Sequence, residues 1–247
     1  MANHPIIIAG HSHVSALIGG KEWVGVMHQE SIAGADSEAG YPEDRPSLVP
    51  VDGYMNILGL RGEWPRNEAY WSALADQAPG NAIALLWEGN QHNSLFFVEQ
   101  PIPFDFVPRA LQHLPVEDGA WLVPESLVRE KLQSAVGNLQ ELLENLKAAA
   151  NCQVALVGTP PPPLIPAGHN GVRITASNVR LKLWYVLTEI MEEQAEVAGV
   201  AFIPIPGGVT DEAGFLKREF WMNDSTHANP AYGRIMLSHI AQMFDRD

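Results

Sequence analysis

Ser12 follows an apolar run and a glycine, in Ile6-Ile7-Ile8-Ala9-Gly10-His11-Ser12-His13. At a strand-to-helix turn its oxygen is exposed, and the helix N-terminus offers N–H groups and positive partial charge to a developing oxyanion. The same position suits a simple helix cap. Asp224 and His227 stand three residues apart in Asp224-Ser225-Thr226-His227. In a turn, that spacing lets the carboxylate reach one imidazole nitrogen and fix the tautomer, leaving the other nitrogen as a base. A polar cluster at a helix entry has the same composition. Asn90 follows the third apolar run, in Glu88-Gly89-Asn90-Gln91-His92-Asn93. There it is either a turn former or an amide donor to an oxyanion.

The same segments hold a second chemistry. His11-x-His13 is similar to the opening of metal-dependent amidohydrolases and PHP-type phosphoesterases, and with His92 and His227 it could hold Zn²⁺ or Mn²⁺. Alternate residues share a face only within a strand, and Ser12 marks a turn. Those barrels also need more strands than this chain offers. His4, His28, His113, His169 and His239 show no further ligand spacing. A third reading is a binding module that uses the same crevice without catalysis.

The elements that must carry these residues alternate along the chain. Short apolar runs at Ile6–Ala9, Tyr54–Leu60, Ala82–Trp87, Val154–Val157 and Val200–Ile203 lack polar alternation, as expected of strands covered on both faces. Leu132, Val136, Leu139, Leu143 and Leu146 mark one helical stretch over Glu125 to Ala150. Val179, Leu183, Val186, Ile190 and Val197 mark another over Ile174 to Ala198, with Gly199 as its stop. Asn229-Pro230 opens a last helix, whose apolar face is Ile235, Met236, Ile240 and Met243. This pattern predicts an α/β, flavodoxin-like doubly wound sheet of about five parallel strands in order 2-1-3-4-5, with helices on both faces. Glu30 to Asp52 reads as a loop, and Gln91 to Pro124 as an irregular excursion. Trp64, Trp71, Trp87 and the phenylalanines of 96–106 suit either a pocket wall or the core. With no linker or repeat, residues 1–247 read as one domain. Ligands of such sheets bind beyond the carboxyl ends of the strands, where the segments above lie.

The order of these blocks resembles that of the SGNH (GDSL-like) hydrolase family, from about Pro5 to Ile240. The resemblance implies Ser12 as nucleophile, with Asp224 and His227 completing a triad. It implies an oxyanion hole from the Ser12 N–H, a glycine N–H of Leu58-Gly59-Leu60-Arg61-Gly62 (Gly62 preferred over Gly59) and the Asn90 amide, with Asn93 as a substitute for Asn90. His11 stands where the family usually has Asp, and Gly89-Asn90-Gln91 departs from its Gly-x-Asn-Asp block. His11, His13, His92 and Asn93 are the expected substrate contacts. The implied reaction is hydrolysis of a carboxylic ester, with a short acyl group on a carbohydrate as one substrate. No metal and no cofactor are implied.

Composition narrows the partners. Lys and Arg number 15 against 29 Asp and Glu, a formal net charge of −14. That balance disfavours nucleic acid and anionic membranes. The single Cys152 excludes a disulfide framework and a cysteine zinc site. No Gly-x-Gly-x-x-Gly follows the first strand, and no P-loop is present. No apolar run is long enough to span a bilayer, and Met1 to Gly10 lacks signal-peptide character. The expectation is a soluble cytoplasmic protein acting on a small-molecule or carbohydrate ester, with its oligomeric state open.

Overall fold

A computed structural model describes residues 5–10, 17, 47–51, 54–61, 68–87, 89–150, 153–165, 168–169, 172–222 and 226–245. Among these residues the main sheet has six strands: β1 (Ile6–Gly10), β2 (Ser47–Val51), β3 (Tyr54–Arg61), β4 (Ala82–Leu86), β7 (Val154–Val157) and β10 (Ala201–Ile203), in the order β10-β7-β4-β1-β3-β2. Two small ribbons stand apart, β5 (Phe104–Asp105) beside β6 (Trp121–Leu122) and β8 (Gly168–His169) beside β9 (Val172–Arg173). β1 pairs in parallel with β3 and β4, and β4, β7 and β10 continue the parallel run. The five strands read from the sequence therefore form the predicted parallel core.

β2 is a correction to the sequence reading, which made its residues part of a loop. It lies antiparallel on β3, with a register shift between Pro50 and Val51. A proline has no N–H for a ladder, so the run did not read as a strand, but at a sheet edge the loss is tolerated.

Alternation along the buried strands sorts their side chains between two cores. Ile7, Ala9, Ile83, Leu85, Val154 and Leu156 enter one. Ile6, Ile8, Ala82, Ala84, Leu86, Ala155 and Val157 enter the other. Helices α1 (Glu68–Gln77), α2 (Gln91–Phe96), α3 (Glu125–Val136), α4 (Leu139–Ala150) and α5 (Ser177–Ala198) cover the first face, and α6 (Pro230–Phe244) covers the second.

Three further readings are corrected. The stretch 125–150 is two helices divided at Gly137-Asn138, although its apolar stripe remains buried across the break. Gln91–Phe96 is helical, not irregular. Val197 and Ile235 lie on exposed flanks of their helices, 64% and 38% exposed. The aromatic residues Trp71, Trp87, Phe96 and Phe104 pack against the first core, and Phe106 is part of it. Trp71 meets Trp87 edge-on at 5.0 Å.

α6 runs against the strands. Its Met243 and Phe244 share a cavity wall with Gln153, Val154 and Ala201, at the amino ends of β7 and β10. Fifteen helical residues span ~22 Å, against ~16 Å for a five-residue strand. The N-terminus of α6 therefore lies towards the carboxyl edge of the sheet, as a returning helix must.

The excursion over residues 97–124 is fastened to α5 by a buried ion pair. Lys182 Nζ donates to both oxygens of Asp105 at 2.9 Å and to the Pro115 carbonyl at 2.8 Å. Both side chains are fully buried. Asp105 also accepts the N–H groups of Phe106 at 2.6 Å and Glu117 at 2.8 Å. Removing one partner strands the other charge in the interior. Asp105→Ala should therefore lower unfolding free energy by about 3–5 kcal/mol in urea titration; an unchanged midpoint would contradict this role.

Candidate active site

Gly10 ends β1 with φ +138°, and a Cβ there would lie 2.0 Å from the Leu86 carbonyl oxygen. Only glycine permits this approach of β1 to β4. His11, Ser12 and His13 follow directly in the sequence but lie outside the described residues, as do Gly62 and Asp224. The oxygen of Tyr70, from α1, accepts the Gly10 N–H at 2.8 Å.

Beyond β4, Gly89 has φ +83°, and a Cβ would meet Thr159 Cγ2 at 2.5 Å and Met191 Sδ at 2.9 Å. Its carbonyl accepts from Thr159 Oγ1 at 3.0 Å, and its N–H donates to Gln91 Oε1 at 2.8 Å. Trp184 Nε1 of α5 in turn donates to the Thr159 carbonyl at 3.2 Å. The peptide ahead of Asn90 is thus held from both sides.

Asn90 occupies the N-cap position of α2, yet its side chain makes no capping hydrogen bond. Its Oδ1 instead accepts from Asn93 Nδ2 at 2.7 Å. With the amide oxygen anchored, the Nδ2 donor of Asn90 is directed away from Asn93. Asn93 is 9% exposed and His92 only 3%. Burial, and then the nearby Arg180 charge, hold His92 down to about 3, opposed by a hydrogen bond to the Gly89 backbone. His92 is therefore neutral, with Nδ1 buried and without a hydrogen-bond partner among the described residues.

His227 stands in a tightly tied segment before α6. Trp221 and Ala228 form an antiparallel bridge, and the Met222 N–H donates to the His227 carbonyl at 3.0 Å. Asn229 accepts the N–H groups of Ala231 at 2.9 Å and Tyr232 at 3.2 Å, the cap read from the sequence. Its Nδ2 donates back to the carbonyls of Glu219 at 2.7 Å and Trp221 at 3.1 Å. Thr226 Oγ1 lies 3.1 Å from His227 Nδ1. Sequence reasoning missed the Thr226 hydroxyl as a partner of this ring, although it sits inside the Asp-x-x-His block. It also missed Tyr70 and Thr159, which no motif marks, and the role of Gln91 as acceptor of the Gly89 N–H.

Among the described residues, no three His, Cys, Asp or Glu side chains cluster as a metal would need. Nor is any helix among them long and apolar enough to cross a membrane. The proposed ligands His11 and His13 lie outside those residues.

No protein-family model matches the chain, and no curated protein matches it in sequence. Solved structures do. A proposed acylhydrolase of Bacteroides fragilis superposes with a TM-score of 0.50 at 11% identity, over 98% of this chain and 86% of that one. A GDSL-like lipase of Bacteroides thetaiotaomicron gives 0.47 at 11% identity, over 99% and 89%. Phospholipase A1 of Streptomyces albidoflavus gives 0.49 at 14% identity, over 97% and 98%. The superposition on the B. fragilis structure is a likeness of fold.

The His92 environment has a consequence for stability. The unfolded chain titrates this ring near 6.5, so between about pH 6.5 and pH 3 the unfolded state binds the extra proton. Stability is therefore lost as pH falls through that window, by up to about 1.4 kcal/mol per pH unit. Urea unfolding at neutral pH and at pH ~5 should show a smaller acid loss in His92→Gln than in wild type. Equal losses would contradict a neutral buried His92.

Proposed function

We propose that this chain is a metal-independent carboxylic ester hydrolase with Ser12 as nucleophile. The anchored Asn90 amide carries the reading. A side chain that only formed a turn or capped α2 would turn its oxygen to backbone N–H groups, whereas this one gives its oxygen to Asn93 and keeps its donor free of the helix. The rigid mounting of His227 just before α6 supports a base in the same region. The acyl chemistry named for the B. fragilis structure agrees with that class.

In this mechanism His227 takes the Ser12 hydroxyl proton as Oγ attacks the ester carbonyl. Asp224 orients His227 and stabilises the imidazolium. The N–H groups of Ser12 and Gly62 and the Asn90 amide receive the oxyanion. The imidazolium gives its proton to the leaving alcohol, and water, deprotonated by the same base, then releases the acid from the acyl-enzyme. Buried Asn93 supports Asn90, while His11 and His13 are the substrate contacts. His92 is only 3% exposed, which weighs against its direct contact with a substrate. A short acyl ester, on a carbohydrate or another small alcohol, is the proposed substrate class, hydrolysed within one domain of residues 1–247.

Activity on p-nitrophenyl acetate should survive prolonged EDTA and vanish in Ser12→Ala. Loss to the chelator, restored by Zn²⁺ or Mn²⁺, would establish the histidine-metal reading instead. Asn90→Ala should lower kcat by roughly 10²–10³ with KM nearly constant. An effect confined to KM would remove Asn90 from the oxyanion hole.

A further inference from the structure

Tyr70 belongs to none of the motifs above, yet its phenol joins two strand ends that the proposed reaction depends on. The β1–β3 ladder closes at Ile8 with Gly59. Past that pair β1 and β3 are laddered to their other neighbours and not to each other among the described residues, and the Tyr70 hydroxyl lies there. It accepts the Gly10 N–H at 2.8 Å, and its oxygen lies 3.4 Å from the carbonyl oxygens of both Gly10 and Leu60, between which its single proton is shared. Gly10 stands two residues before Ser12, and Leu60 two before Gly62. The ring is only 1% exposed, so water does not compete for these contacts. Burial pushes the phenol up to about 12, against the lowering effect of the Gly10 hydrogen bond, so the proton stays in place at neutral pH. Tyr70 meets Trp71 edge-on at 5.7 Å, which helps fix its ring.

We propose that Tyr70 is a positioning residue of the oxyanion hole: its hydroxyl holds the backbone leading to Ser12 at a set distance from the backbone leading to Gly62. This rests on the hydrolase reading above. Gly10 and Leu60 lie on different strands, so slack between β1 and β3 past their last pair changes the spacing of the backbone from which the two proposed donors follow in sequence. Such slack is felt only when the oxyanion forms, and ground-state binding is left largely intact.

The test is steady-state kinetics of the full chain on p-nitrophenyl acetate. Tyr70→Phe removes the hydroxyl and keeps the ring. We expect kcat to fall by about 10- to 100-fold with little change in KM. A trifluoromethyl ketone, which mimics the tetrahedral adduct, should lose affinity by the same factor as kcat/KM. Combined with Asn90→Ala, the loss should be smaller than the product of the two single losses, because both act on one oxyanion hole. A variant with lowered thermal stability but wild-type kcat would make Tyr70 purely structural and overturn the proposal. If the Phe variant does not fold, 3-fluorotyrosine at position 70 keeps shape and hydroxyl but weakens the oxygen as an acceptor. A lowered kcat at constant KM then supports the role, and an unchanged kcat overturns it. A wild-type chain without Ser12-dependent turnover overturns the hydrolase reading and this role together. An active wild type matched by its Phe variant overturns this role alone.

Discussion

The carboxyl edge of the sheet depends on how closely its strands can approach there. At Gly10 the approach leaves no room for any side chain, because the Leu86 carbonyl occupies the place of a Cβ. A larger residue would force β1 and β4 apart or shift the ladder that pairs Gly10 with Leu86. Gly89 repeats the constraint one strand further, against Thr159 and Met191. Two glycines thus set the distances among β1, β4 and β7 at the edge from which the sequence runs on to Ser12 and Asn90. Polar contacts then hold what the missing side chains allow, with Tyr70 on one side of β1 and Thr159 behind Gly89.

These contacts are anchored in the largest helix. α5 buries Val179, Leu183, Val186, Leu187 and Ile190 in the first core. From that base Trp184 reaches Thr159, Thr159 reaches Gly89, and Gly89 reaches Gln91 beside Asn90. The Lys182–Asp105 pair ties the 97–124 excursion to the same helix. Its desolvation cost offsets much of the Coulombic gain, so its main effect is to fix one arrangement of a chain segment with little regular structure. The Thr175 hydroxyl donates to the Phe96 carbonyl and the Thr175 N–H to that of Phe97, fixing the exit of α2. Core packing and the geometry around Asn90 are therefore parts of one network.

Much of the parallel core was legible because it is chemically plain. Ile6–Ala9 and Val154–Val157 are buried on both faces, and an unbroken apolar run reports that directly. The Asn229-Pro230 signal marked the start of α6, since a cap and a first-turn proline are local devices. What was not legible depends on distant residues. Pro50 hides an edge strand whose pairing comes from β3. The helical stretch at 125–150 keeps its apolar period through a break, so periodicity alone gave one helix. For the site, residue type identified Asn90 and His227 as candidates. Their supports were hidden: Asn93 reads as a rival to Asn90 in the sequence, and in the fold its amide anchors the Asn90 oxygen. Tyr70 lies 60 residues from Gly10 along the chain, and no spacing rule connects them.

The proposed reaction needs a nucleophilic serine two residues past Gly10 in the sequence. Incubating the folded chain with a fluorophosphonate probe, then digesting it and mapping the adduct by mass spectrometry, tests that directly. The account predicts one phosphonyl group, on Ser12, with no labelling of the urea-unfolded chain. A folded chain that resists the probe, or an adduct on another residue, would contradict it.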